Sequence, residues 1–190
     1  MSEGSSTGVP LAVEPPSRPS LGEEPASPLP DRHLPGLDDV EHECWLHFTE
    51  AATRIGDILQ RTLVDAHNLT LFDMLLLAIL AKSDDGSARM GDLARALVLI
   101  PSRVTQVASR LEAQGLLTRS TSRNDRRRVI ATITPAGRAR LRPALETYAG
   151  IVRTYYLVPL SRQQMTAVGD SCRRIGGGLM HKEQQARLKN

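Results

Sequence analysis

The sequence predicts a mainly α-helical protein with one small antiparallel hairpin set among its helices. Three observations lead there. Apolar residues recur at steps of three and four along most of the chain after residue 36, the pattern of helices that bury one face. The exception is a pair of short β-branched runs, "LLTRSTS" and "RVIATIT", joined by the polar turn "RNDRR", which reads as two strands and a tight connection. Of the 190 residues 41% are hydrophobic but only 3% are aromatic, so the core must be aliphatic.

Residues 1–36 stand apart. They hold eight of the twelve prolines, many serines and glycines, and no hydrophobic periodicity. Such a segment buries too little apolar area to offset its ordering entropy, so a disordered Pro/Ser-rich tail is expected. The ordered domain is expected over residues 37–190. Its first helix spans 38–66, where Trp45, Phe48, Ala52, Ile55, Leu59 and Leu63 form one stripe, and Asp38 and Asp39 favour the positive end of the helix dipole. "LFDMLLLAILAK" is apolar nearly all round and reads as a buried second helix. "SDDGS" reads as a loop, and "RMGDLARAL" as a short helix with Met90, Leu93, Ala94 and Leu97 inward.

The next helix starts at Pro101, whose missing N–H suits a first turn, and stops before Gly115, a natural C′ residue. Val104, Val107, Ala108 and Leu111 face inward, which leaves Ser102, Arg103, Gln106, Ser109 and Arg110 outward. After the hairpin, Thr134 is placed as an N-cap with Pro135 at the first helical position. Leu141, Leu145, Tyr148, Val152 and Tyr155 form a stripe in a helix that Pro143 is expected to bend. Ser161 caps a last helix with Met165, Val168, Cys172, Ile175 and Leu179 on its apolar side, so Cys172 is read as a core residue. Fraying is expected at Gly176 to Gly178.

Several function classes are excluded on this reading. There is no nucleophile elbow, HExxH, phosphate-binding glycine loop or dinucleotide fingerprint, so neither an enzyme nor a cofactor is expected. Cys44 and Cys172 are far apart and form no disulfide framework. His42, Glu43, Cys44 and His47 do not share one helix face, and no metal site is expected. No run approaches membrane-span length and no secretory layout is present; the expectation is a cytoplasmic protein with no membrane contact.

What remains is a distribution of charge. From Arg89 to Arg142 there are twelve arginines against Asp92, Glu112 and Asp125, a net +9 in a chain whose total is +3. A polyanion is the natural partner of that stretch. A short helix, a tight connection, a second helix with a polar outer side and then a basic hairpin is the order of a winged helix-turn-helix. The second helix fits the major groove of double-stranded DNA, where Ser102, Arg103, Gln106 and Arg110 can donate to bases and phosphates. Arg123, Arg126, Arg127 and Arg128 at the hairpin tip can reach an adjacent minor groove or backbone.

Taken together, "LTLFDMLLLAIL", "MGDLARAL", "PSRVTQVASRLEAQGLLTRS", "NDRRRVIATITPAGRARL" and "LVPLSRQQMTAVGDSCRRI" resemble the MarR (multiple antibiotic resistance regulator) family of bacterial transcription factors, over about Asp39 to Leu179. The resemblance implies a winged helix-turn-helix over 70–134 and helical dimerisation regions from both termini, over 38–66 and 135–182. It implies a homodimer on a pseudo-palindromic operator, acting as a repressor released by a small-molecule effector. By position, Ser102, Arg103, Thr105, Gln106 and Arg110 fall on the family's recognition helix, and Asp125 with Arg126, Arg127 and Arg128 on its wing. Asp125 would hold a wing arginine in place; Ser122 and Asn124 replace an acid and an arginine common in that wing. The resemblance implies an effector pocket between the dimer helices and the winged module, which Trp45, His47, Phe48 and Tyr155 would line; as members of the core stripes they need no ligand.

Two branches of the family bear on single residues. One senses organic hydroperoxides through a first-helix cysteine; Leu46 occupies that position here, and Cys44 lies two residues away. The other binds urate through an aspartate and arginines; Asp73 and Arg119 match, but Val107 replaces the second arginine, and Asp73 is read instead as a helix N-terminal acid. The alternatives to a ligand-responsive repressor are a winged module for protein contacts and a peroxide-responsive thiol switch through Cys44.

Overall fold

The computed structural model describes residues 34–121 and 129–188, the last nine of these by backbone alone. The tail expected over 1–36 thus lies almost wholly outside the described residues. The chain divides into two compact units after Leu46. In the first, Asp38 and Glu41 form a reciprocal cap. The Asp38 N–H donates to the Glu41 carboxylate at 3.0 Å, and the Glu41 N–H donates to Asp38 Oδ1 at 2.9 Å. They start helix α1, Asp39–His67.

In the second unit α1 ends where Asn68 takes a left-handed conformation (φ 53°), and the Leu69 N–H returns to the Leu63 carbonyl at 3.3 Å, a Schellman-type closure. Helix α2, Leu71–Lys82, follows at once. Then come strand β1, Ser87–Arg89; α3, Met90–Leu97; α4, Pro101–Ala113; β2, Leu117–Thr121; and β3, Val129–Ile133. Helix α5, Pro135–Ile151, runs into a π-helical stretch, Val152–Leu157. Helix α6, Arg162–Leu188, closes the described chain. The architecture is mainly helical with a three-stranded antiparallel sheet in the order β1-β3-β2, a winged helix-turn-helix.

The core lies where α2, α3, α4, the sheet and the start of α5 meet. Leu76, Leu77, Leu80, Leu93, Val104 and Leu111 are all fully buried there. Leu76, Leu77 and Leu80 explain why α2 reads as apolar all round. Among the described residues no single helix is long and apolar enough to cross a membrane; α1 and α2 pass such a test only jointly, as a pair bent by 76°.

The sheet departs from expectation in one respect. "SDDGS" was expected to be a loop up to Ser87, yet Ser87–Arg89 pairs with β3, Ser87 opposite Thr132 and Arg89 opposite Ile130. Three residues carry too little alternation to announce a strand; the pairing is created by β3, some 40 residues later. Helix α5 runs on through Pro143. Two further expectations are corrected. Helix α6 passes through Gly176 to Gly178, since glycine weakens a helix without removing a backbone hydrogen bond. Cys172 is exposed rather than buried, because no described element covers its side of α6.

Two junctions fix the module. At the first, the Thr134 N–H donates to the Leu116 carbonyl at 3.1 Å, its hydroxyl donates to the Gly115 carbonyl at 2.8 Å, and it accepts the Gly137 N–H at 3.0 Å. Gly115, at φ 70°, turns the chain from α4 into β2. The N-terminus of α5 is drawn so close to this turn that a Cβ on Gly137 would stand 2.1 Å from the Leu116 carbonyl oxygen. At the second, Val98 ends α3 in the left-handed region (φ 53°), a conformation that costs an L-residue about 1–2 kcal/mol.

Gly137→Ala is expected to destabilise the protein by about 1–3 kcal/mol, because the added methyl meets backbone rather than a movable side chain. Urea or thermal unfolding of the variant checks this; an unchanged midpoint would mean that α5 shifts freely.

Candidate nucleic-acid interface

Helix α4 is built to show one face. Val104, Ala108 and Leu111 are fully buried, while Ser102, Arg103, Thr105, Gln106, Ser109 and Arg110 are exposed. Spacings of three and four put the first set on one side of the helix and leave the second set outside. Leu99 packs against the core just before the helix, and the Arg103 and Val104 N–H groups return to the Ile100 carbonyl. On the outer face Arg103 Nη1 donates to Gln106 Oε1 at 3.2 Å, so these two side chains form one polar unit a turn into the helix.

Arg110 has a different occupation. Its Nη2 lies 2.6 Å from each carboxylate oxygen of Asp73 and 2.7 Å from the Thr70 hydroxyl. Asp73 is only 1% exposed. It is also the N3 residue of the α2 capping box: Thr70 Oγ1 accepts the Asp73 N–H, and the Asp73 carboxylate accepts the Thr70 N–H at 2.7 Å. The expected N-terminal acid is therefore present, and it also anchors α4. Arg119, placed by position beside Asp73, is instead committed to Glu112. Its Nη2 and Nε donate to Glu112 Oε2 at 2.6 and 2.9 Å, and its backbone N–H donates to Oε1 at 2.9 Å. The side-chain bond from Arg119, then the backbone bond, lower the Glu112 pKa from its ordinary 4.5.

Other arginines of the basic stretch hold the scaffold too. Arg140 Nη1 donates to the last carbonyl of α1, His67, at 3.0 Å, and Arg138 Nη1 reaches the Ala81 carbonyl near the end of α2 at 3.3 Å. Both neutralise the negative end of a helix. Arg95 pairs with Asp92, and Arg142 with Glu146 at 3.8 Å. Among the described residues the Arg89 side chain has no hydrogen-bond or ion-pair partner. It borders an open cleft of about 580 Å3 whose wall also includes Arg95, Thr105, Arg119 and Val129. The hairpin tip with Arg123, Asp125, Arg126, Arg127 and Arg128 lies outside the described residues.

Residues 69–129 match the sequence model of the MarR family. Over this segment the chain is similar to the MarR family. Solved structures agree. AbsC, a MarR family transcriptional regulator from Streptomyces coelicolor, superposes with a TM-score of 0.72 at 26% identity, covering 76% of this chain and 97% of AbsC. Sco3205, a MarR family transcriptional regulator from the same organism solved in complex with DNA, gives 0.73 at 29% identity, with 75% and 93% covered. Bordetella bronchiseptica BpsR, whose DNA binding is regulated by 6-hydroxynicotinic acid, gives 0.61 at 28% identity, with 68% and 90% covered. A search of curated protein sequences finds no match.

The MarR-family resemblance also placed an effector pocket. Trp45, His47, Phe48 and Tyr155 are all exposed, and none of them lines the cleft beside Arg89. Cys44 is exposed on α1. Among the described residues no three His, Cys, Asp or Glu side chains come together as a metal-holding group. The signal missed in the sequence was Arg89: it stands alone before α3, and only the fold brings it beside Thr105 and Arg119.

Arg110→Ala is expected to lower stability by about 2–3 kcal/mol, less than for a fully buried pair because Arg110 is 46% exposed. Arg103→Ala should stay within about 0.5 kcal/mol. Chemical denaturation of both variants separates an anchoring arginine from one that is free to bind. For Glu112 the lowered pKa means its stabilising contribution is complete above pH 4.5 and lost as pH falls through its folded value. The stability gap between wild type and Glu112→Gln should therefore close on acidification; a gap that widens would give the contact the opposite sign.

Proposed function

We propose that this protein is a sequence-specific, double-stranded-DNA-binding transcriptional regulator, a homodimeric repressor on a pseudo-palindromic operator, released by a small-molecule effector. One observation carries the reading. Helix α4 is seated on the core by Val104, Ala108 and Leu111 and turns Ser102, Arg103, Thr105 and Gln106 outward, at a width and polarity that suit the major groove. The DNA complex of Sco3205, a structure of the same fold, supports it. Arg103 and Gln106 would supply base contacts. The wing residues Arg123, Arg126, Arg127 and Arg128, with Asp125, would supply phosphate and minor-groove contacts. Arg110 would contribute mainly by fixing α4, since Asp73 already holds it.

The homodimer is supported by apolar side chains that a lone chain leaves in water. Phe48, Tyr155, Val158, Ile175 and Leu179 are exposed on the helices outside the winged module, and exposed large apolar side chains that lie together mark an interaction surface. For an effector, Arg89, whose guanidinium no carboxylate of the described residues holds, favours an anionic small molecule in the cleft that it borders. BpsR, regulated by 6-hydroxynicotinic acid, supports that class of ligand.

The test is a titration of purified full-length protein against duplex DNA from its own upstream region, followed by fluorescence anisotropy. Affinity should fall by about 10³-fold or more between 50 and 200 mM salt. Arg127→Ala should weaken binding to all duplexes and flatten the salt slope, whereas Gln106→Ala should loosen base preference, by about 1–3 kcal/mol at one position. Sedimentation should report a dimer. A monomer indifferent to duplex DNA at low salt would overturn the proposal.

A further inference from the structure

Helix α4 begins on a residue that local chemistry does not favour. Ile100 is its N-cap, with extended backbone (φ −67°, ψ 149°) and no side-chain capping hydrogen bond. Serine, threonine, asparagine or aspartate there would satisfy an orphan N–H, as Thr70 and Thr134 do for α2 and α5. Burial does not account for the isoleucine either. Leu99 before it packs on the core, but Ile100 is 65% exposed, and Val98 on the other side of Leu99 is 82% exposed. An apolar, β-branched side chain thus stands in water at the head of a helix whose outer face from Ser102 to Arg110 is polar.

We infer that Ile100 is a specificity-determining residue that packs on the C5-methyl group of a thymine in each half-site. The inference rests on the DNA-binding reading above. A recognition helix meets base edges with its N-terminal residues, and Ile100 heads that end. Among the groups that the four bases show in the major groove, the thymine methyl is the apolar one. Arg103, three residues on and so a neighbour along the same side, is hydrogen-bonded to Gln106 and carries charge. An apolar tip flanked by a guanidinium matches a base edge next to phosphate better than it matches an apolar protein surface or a second copy of this chain.

The experiment uses duplexes selected from a random pool by the full-length protein, with each half-site thymine replaced in turn by deoxyuridine, which removes only the methyl. Wild type should lose about fourfold in affinity at one position per half-site, the effect of one buried methyl. Ile100→Ser should bind the thymine duplex less tightly, show no further loss with uracil, and unfold at a higher temperature, because serine restores the cap. Ile100→Val should keep the discrimination. A purely structural role would instead move stability and affinity together and leave the thymine–uracil ratio unchanged. Wild-type binding that depends on salt but ignores every methyl overturns this inference alone, as does undiminished discrimination in Ile100→Ser. Failure to bind any duplex at low salt overturns the DNA-binding reading, and this inference with it.

Discussion

The contact on which the rest of the winged module depends is the one between Asp73 and Arg110. A carboxylate 1% exposed at the start of α2 has few ways to be satisfied. It takes the Thr70 N–H from its own capping box and the Arg110 guanidinium from α4. The first bond starts α2; the second sets how α4 lies across it. Because an unpaired buried carboxylate is strongly disfavoured, the arrangement holds α4 in one register. The outer face of α4 is thereby fixed in space before any ligand arrives, which is what a reading surface needs.

A division of labour among the arginines follows. Sequence arithmetic assigns twelve of them to one polyanion surface. In the fold, Arg95, Arg110, Arg119 and Arg142 are held by carboxylates of the chain, and Arg138 and Arg140 by carbonyls at helix ends. Such groups still contribute long-range positive potential, but their donors are engaged. Among the described residues, Arg89 and Arg103 are the arginines of this stretch that no carboxylate or backbone carbonyl holds.

The helices outside the module have the opposite character. The stripe from Met165 to Leu179 on α6 is half-buried or exposed, and Tyr155 and Val158 at the π-helical stretch are exposed. Amphipathic periodicity states that a helix has an apolar side. It does not state whether the same chain or another one covers that side. Cys172 illustrates the difference: its place on the stripe is legible, and its burial is not.

The sequence by itself determined the helices, the caps at Thr134 and Ser161 and the two strands of the hairpin. The Thr134–Pro135 start, the stop at Gly115 and the inward and outward faces of α4 are all legible, because they depend on residues within a turn or two of one another. The candidate reading face, Ser102 to Gln106, was legible for the same reason. Only the tertiary structure decided that Ser87–Arg89 is a strand, that Arg110 belongs to Asp73 and that Arg140 closes the end of α1. Those partners are 37 and 73 residues apart in the last two cases. Spacing along the chain specifies which way a side chain faces, but a charge finds its partner only when packing brings distant segments within a few ångströms.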